Sequence, residues 1–366
     1  MDFSKITEIT DEDRSKLHDL CKSYLSDKWL DVKTDELIIK PIAAGFVNKI
    51  YYCALPDNVD QTAKVMVRYE NEEISKMAGI NPVSTLSIAL VLSLSNISPD
   101  ILGAFPGGTI IQYIESRYWE KKDDFNDKSV AQLAQKLAKL HSTTTPIAKQ
   151  PRNLKEMYEK FVTQEFKDEI RKGIISKQAV DSNLKTFQEV DVLDEYIWLL
   201  DLVTKQKSPI VFSHNDFNRR NILVKDTIVN NNQELEIYLI DFDWSCYGMR
   251  GIDLGQYFCG WAQVETDFGD GPIPTDQQMS VFIDAYMAEM SQLVGNDYLK
   301  QAVNSREKVI KEAKIFTLYA YMKDVMYLVF STIQSKSTDN LPKAEVRFNM
   351  FMNLKKQILK EYNNIN

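Results

Sequence analysis

Apolar residues at helical spacing, Leu17, Leu20, Cys21 and Tyr24, predict a helix over residues 11–25. The period then shortens. Residues 37–42, 50–54 and 63–68 are β-prone runs, with turn signals at Gly45 and Pro56-Asp57-Asn58. Residues 82–94 are apolar but short and serine-rich, whereas a membrane span needs about 20 apolar residues, so they read as a buried helix. Residues 109–114 form another expected strand. Helical spacing returns at residues 129–141, through Ala131, Ala134, Leu137, Ala138 and Leu140, and closes at Thr143-Thr144-Thr145-Pro146. Residues 155–172 and 181–203 are further expected helices. From Asp276 onward the pattern is almost wholly helical, with breaks at Gly295-Asn296 and over residues 337–342. Strands gathered early and helices late make this an α+β chain.

A polar loop interrupts the helical half. Two β-prone runs, residues 208–212 and 222–224, bracket Ser213-His214-Asn215-Asp216-Phe217-Asn218-Arg219-Arg220-Asn221. A third run, residues 235–240, follows the turn-rich Asn230-Asn231-Asn232 and ends in Asp241-Phe242-Asp243, so a hairpin returns Asp241 toward the loop. Phosphoryl transfer needs a carboxylate for the acceptor's proton and oxygen ligands for magnesium. The protein-kinase pattern supplies them as a loop Asp, an Asn five residues later and a following Asp. Asp216, Asn221 and Asp241 occur in that order. A lone Asp before a turn is usually a cap; the compound pattern favours chemistry here. His214 reads as structural, because the neighbouring carboxylate fills the proton-accepting role.

At 366 residues the chain is long enough for two domains or one bilobal unit, and 44% hydrophobic with 26% charged residues is ordinary for a soluble enzyme. A net charge of -8 argues against a nucleic-acid partner. Cys21, Cys53, Cys246 and Cys259 are scattered without zinc-ligand spacing, and residues 1–16 lack the pattern of a signal peptide. A cytoplasmic protein with reduced thiols, not membrane-spanning, is expected.

Ala44, Gly45, Phe46, Val47 and Asn48 lie between two expected strands, where a kinase covers the nucleotide phosphates. The segment lacks G-x-G-x-x-G, and a simple hairpin turn is the plainer alternative. Arg68 is the candidate for steadying phosphates, with Lys64 as runner-up and a solvated strand end as the alternative for Arg68.

The chain resembles the choline/ethanolamine kinase family, a small-metabolite branch of the protein-kinase-like fold. The stretch Ile240-Asp241-Phe242-Asp243-Trp244-Ser245, continuing as Arg250-Gly251-Ile252-Asp253-Leu254-Gly255-Gln256-Tyr257-Phe258, is similar to the family's Ile-Asp-Phe-Glu-Tyr-Ser and Arg-Gly-Phe-Asp-Ile-Gly-Asn-His-Phe. Agreement extends to Gly45, Asn48, Val67-Arg68, Gln112-Tyr113-Ile114 and Leu140-His141. The resemblance implies a bilobal fold, with a small antiparallel-sheet lobe over residues 1–112 and a mostly helical lobe over 113–366. It implies transfer of the γ-phosphoryl group of ATP to the hydroxyl of choline or ethanolamine, with magnesium, and suggests a homodimer. Asp216 then matches the catalytic base and a substrate contact, Asn221 and Asp241 the metal ligands. Residues 44–48, Arg68, Gln112, Tyr113, Ile114 and Asn218 fall on the nucleotide side. Tyr327 and Phe330 fall on the aromatic cage that holds the acceptor's ammonium through cation–π attraction. Trp261 and Glu265 are further acceptor-side candidates.

Departures accompany the matches. The family's paired glycines become Ala44-Gly45, Val47 replaces a Ser, Gly260 replaces a Glu, and Lys343 stands near a cage Tyr. Residues 82–94 contain no carboxylate to pair with Arg68. Two other readings share the loop: a related small-molecule kinase of aminoglycoside-phosphotransferase type, and a pseudokinase that only binds nucleotide.

Overall fold

Capping chemistry sets the first helix, Asp11–Tyr24: Thr10 and Asp13 bond reciprocally, and Leu17 and Cys21 turn inward. The structure is a computed structural model that describes residues 9–25, 28–42, 48–56, 63–71, 81–229, 232–264 and 268–362. It divides into two compact units. One comprises Met1–Arg117, Thr145–Ile147 and Leu223–Trp244; the other comprises Tyr118–Thr144, Ala148–Ile222 and Ser245–Asn366.

The first unit carries a five-stranded antiparallel sheet of β1 (Ile38–Ile42), β2 (Lys49–Ala54), β3 (Lys64–Tyr69), β4 (Ile101–Phe105) and β5 (Gly108–Gln112), ordered β1-β2-β3-β5-β4. Alternation along β3 buries Val65 and Val67 with Leu17, Cys21, Tyr51, Cys53 and Ile110, so Arg68 projects from the other face. Sequence periodicity misses β4. Its burial alternates, but the outward positions hold Leu102 and Ala104, so no polar residue marks the alternation in the sequence.

The helix expected at residues 82–94 is present over Pro82–Leu94, capped by Asn81 with Pro82 in its first turn. It is not buried all round. Ile88 and Leu92 are buried, but Val83, Leu90 and Leu94 are exposed, because only one face has packing partners. The strands Ile222–Val229 and Asn232–Leu239 are hydrogen-bonded neighbours, as expected for a hairpin, and Lys225 pairs with Glu236 across them at 3.0 Å. They are longer than the sequence runs suggest.

The second unit is helical around the 30-residue helix Arg306–Ser335, whose buried residues include Phe316, Leu318, Val325 and Val329. Two expected helices are divided. Residues 155–172 become Leu154–Phe161 and Gln164–Arg171, because Thr163 caps a new start. Residues 181–203 do not form one helix. Ile174–Asp181 ends just before Asn183, which takes a left-handed φ of 52°, and Val192–Lys205 begins after Asp191 caps Leu193 and Asp194. Ile210–Ser213 pairs antiparallel with Cys246–Met249, bringing both ends of the polar loop's flanking chain together.

Candidate active site

In the second unit, the helix Gly251–Cys259 holds the polar loop. The backbone N–H groups of His214 and Asn215 donate to Asp253 at 2.7 and 2.8 Å, and that carboxylate also meets His141 Nε2 at 3.0 Å. One turn later the Gln256 side chain accepts from the Phe217 N–H at 2.9 Å. Asn215 takes a φ of +61°, a conformation that costs energy in a non-glycine residue and is retained here by these bonds on both sides. His214 is fully buried, and its carbonyl accepts from Ser245 Oγ at 3.1 Å. That environment suits the structural role its position suggests.

Asp216 gathers its neighbours through its two oxygens. Asn221 Nδ2 donates to Oδ2 at 2.9 Å and Asn218 Nδ2 donates to the same atom at 3.0 Å. Asn221 also bonds the Asp216 carbonyl at 2.8 Å, so its amide nitrogen is committed and its amide oxygen remains the acceptor. Lys323 Nζ, from the helix Arg306–Ser335, donates to Oδ1 at 2.9 Å. Burial pushes the Asp216 carboxyl up, but the Lys323 ammonium, with His214 and Asn221, outweighs it and holds the group below its ordinary value. Burial likewise works against the Lys323 charge, and Asp216, Asp324 and Asp253 outweigh it.

Arg219 fixes the loop's far side. Its guanidinium pairs with Asp124 and donates to the carbonyls of Gly260 at 2.7 Å and Gln263 at 2.9 Å. Gly260, where the resemblance expects a carboxylate, thus lies beside an arginine. Trp261 is buried with its ring 5.0 Å from Phe125. Tyr327 and Phe330 are 43% and 39% exposed, enough to present an aromatic face to a small molecule. Tyr327 stacks on Phe268 at 5.8 Å, and Phe330 lies 6.1 Å from Phe166. Glu265 lies outside the described residues.

In the first unit, Arg68 pairs with Asp243, whose other oxygen accepts from Asn48 Nδ2 at 2.8 Å. Burial works to lower Arg68, but the charges of Asp243 and Asp241 outweigh it and raise the guanidinium above its ordinary value. The carboxylate absent from residues 82–94 is therefore supplied by the segment after the hairpin. Asp241, like Asn215, takes a left-handed backbone conformation, with a φ of +62°. Gln112 ends β5 opposite Val65, its side chain accepting from the Asp100 N–H at 3.3 Å, and Tyr113 and Ile114 follow. Ala44, Gly45, Phe46 and Val47 lie outside the described residues.

A family model described as choline/ethanolamine kinase matches residues 39–358, a span that includes the polar loop, Asp241 and the long helix. The chain belongs to the choline/ethanolamine kinase family. It is 27% identical over 359 residues to a rat choline/ethanolamine kinase, covering 92% of this chain and 85% of that protein. It is 26% identical over 367 residues to mouse choline kinase alpha, covering 92% and 80%. A solved choline kinase from Cryptosporidium parvum superposes with a TM-score of 0.68 at 19% identity, covering 95% and 96% of the two chains. The fold is accordingly protein-kinase-like, with its antiparallel sheet N-terminal and its C-terminal part mostly helical.

Asp243, Asp253 and His141 lie in segments similar to the family's, and Lys323 bonds the loop that Asp253 holds. Motif spacing singles out none of them as a site residue. Lys323 follows Asp216 by 107 residues, and periodicity sees it only as a polar position on a helix. Asp253 had a signal, because it lies inside the matching stretch, but its role depends on the loop it caps. Among the described residues no helix is long and apolar enough to cross a membrane.

Proposed function

We propose that this chain transfers the γ-phosphoryl group of ATP to the hydroxyl of a small amino alcohol, choline or ethanolamine. The observation that carries this reading is the Asp216 carboxylate, held by Asn218 and Asn221 in a loop anchored on Asp253, in a chain of this family. Asp216 accepts or orients the hydroxyl proton. Asn218 steadies the carboxylate and is the loop's proposed nucleotide-side residue. Arg68, oriented by Asp243, and Asn48 meet phosphate oxygens together with residues 44–47, while Gln112, Tyr113 and Ile114 border the base.

Asn221 and Asp241 are the proposed magnesium ligands. Their donor set fits, because both present hard oxygens and the Asn221 nitrogen is already committed to Asp216. Magnesium, when bound, neutralises phosphate charge. On the acceptor side, the exposed rings of Tyr327 and Phe330 supply faces for an ammonium group. Trp261 and Glu265 are further proposed acceptor-side residues.

Purified protein with ATP and magnesium is expected to convert choline, ethanolamine or both to the phosphate ester. Asp216→Ala should lower kcat by about 1000-fold or more without unfolding the chain. An enzyme indifferent to that change does not use Asp216. Turnover of an aminoglycoside but of neither amine assigns a different acceptor, and nucleotide binding without any turnover supports the pseudokinase reading.

A further inference from the structure

Asp216 draws donors to both of its oxygens. A carboxylate offers about four acceptor positions, and here Oδ1 takes Lys323 at 2.9 Å with Gln256 at 3.5 Å, while Oδ2 takes Asn221 at 2.9 Å and Asn218 at 3.0 Å. An acceptor hydroxyl therefore meets a carboxylate engaged on both oxygens, with Gln256 only at the edge of hydrogen-bond range. The two oxygens are not equivalent to it. Lys323 makes a charge-assisted bond to Oδ1 and also donates to the Asn215 carbonyl at 3.1 Å, which ties the carboxylate to its own loop. The partners of Oδ2 are neutral amides, and the side chain keeps 26% of its exposure. An oxygen bonded to an ammonium is the poorer proton acceptor, so the hydroxyl's proton passes more readily to Oδ2.

Lys323 is itself held in place. Its neighbour Asp324 pairs with Arg347 at 3.2 Å and meets Cys259 Sγ at 3.5 Å. Arg347 continues to the Cys259 carbonyl at 3.3 Å and to Gln263 Oε1 at 3.2 Å. The charges therefore alternate along Asp216, Lys323, Asp324 and Arg347, and Asp324 has an ion pair of its own in Arg347.

We infer that Lys323 is a positioning residue that pins Oδ1 of Asp216 and so assigns Oδ2 to the acceptor's hydroxyl. The inference rests on Asp216 being the proton acceptor. In the reaction the hydroxyl O–H bond breaks and its proton passes to Oδ2. The freed electron pair forms the bond to the γ-phosphorus, and the bond from that phosphorus to the bridging oxygen breaks with its pair leaving on ADP. Without Lys323 the carboxylate can rotate about its own axis, exchanging the two oxygens and losing the alignment that the transfer needs.

The test compares Lys323→Met, Lys323→Arg and Lys323→Gln with wild type in steady-state kinetics and in crystal structures. Lys323→Met should lower kcat by about 100-fold with both KM values within about threefold of wild type, and Lys323→Arg should recover most of the loss. In the Asp216→Ala background, Lys323→Met should cost nothing further, since the two act as a unit. A wild-type kcat, a loss carried by KM alone, or a loss that multiplies with Asp216→Ala would overturn the inference. If Lys323→Met does not fold, Lys323→Gln carries the same expectations. The crystallographic arm needs no turnover: the carboxylate plane of Asp216 should turn or lose order in the neutral variant, and an unchanged plane counts against Lys323. Absence of phosphoryl transfer by wild type would refute the kinase reading while leaving that comparison decisive.

Discussion

A guanidinium that is to meet phosphate oxygens needs one edge fixed and another left to the ligand. Arg68 satisfies the first condition through Asp243, and Asp243 in turn takes Asn48, the last residue of the candidate nucleotide loop. Asn48 extends the link to the Asn71 N–H at 3.3 Å. Replacing Asp243 by Ala therefore removes the charge that orients Arg68 and the acceptor that holds Asn48. The expected result is a rise of about tenfold or more in the KM for ATP, with a smaller change in the KM for the acceptor. Asp243→Glu, which restores the residue type of the family's similar stretch, should stay within about threefold of wild type. Initial-rate measurements against both substrates separate these outcomes, and equal losses for Ala and Glu would remove the orienting role from Asp243.

Two glycines determine how the elements carrying Asp216's partners approach one another. A Cβ on Gly251 would sit 2.2 Å from the Phe316 ring, and one on Gly255 would sit 2.2 Å from the Phe316 backbone carbonyl. Side-chain-free backbone at these positions lets the helix Gly251–Cys259 lie directly on the helix Arg306–Ser335. Asp253 and Gln256 then hold the loop from one helix while Lys323 reaches Asp216 from the other. Gly255→Ala should thus destabilise the protein by about 2–3 kcal/mol, since the opposing atoms are backbone and cannot move aside. Urea unfolding measures this, with Gly260→Ala as control: its nearest neighbours would be Arg219 atoms at an ordinary 3.7 Å. Equal stability of the two variants would show that the crossing can relax. The sequence displays this crossing only as two glycines four apart. What it displays well is local: the bounds of the helix Pro82–Leu94, the start of helical pattern at Asp276, and the ordered set Asp216, Asn221 and Asp241. The residues it hides, Lys323 and Asp243 above all, act through ion pairs whose partners are 107 and 175 positions away. No periodicity encodes such a pairing. The broken helices near residues 163 and 183 were hidden for a different reason, because apolar spacing continues across a cap that tertiary packing selects.

Across the whole molecule, charge acts at two ranges. In each unit the ionic groups around the candidate residues are matched locally: Asp216 with Lys323, Asp324 with Arg347 and Asp124 with Arg219 in the second, and Arg68 with Asp243 in the first. The formal net charge of -8 therefore reaches a distant cation mainly through the field of the whole chain. Choline and ethanolamine each carry one positive charge at neutral pH, so this field attracts both without telling them apart. Salt shortens the range of such attraction, from about 10 Å at 0.1 M to about 3 Å at 1 M ionic strength. At saturating ATP, kcat/KM for each amine is expected to fall severalfold between about 0.05 and 0.5 M salt, and by the same factor. Their ratio should stay constant, because discrimination between a trimethylated and a primary ammonium is left to contacts at short range, for which Tyr327 and Phe330 are the proposed faces. Competition between the two amines at equal concentration, repeated across the salt series, measures that ratio directly. A ratio that drifts with salt would place part of the selectivity in long-range charge. A constant ratio that changes on Tyr327→Leu, in a variant that still melts like wild type, would place it on the aromatic face of the long helix.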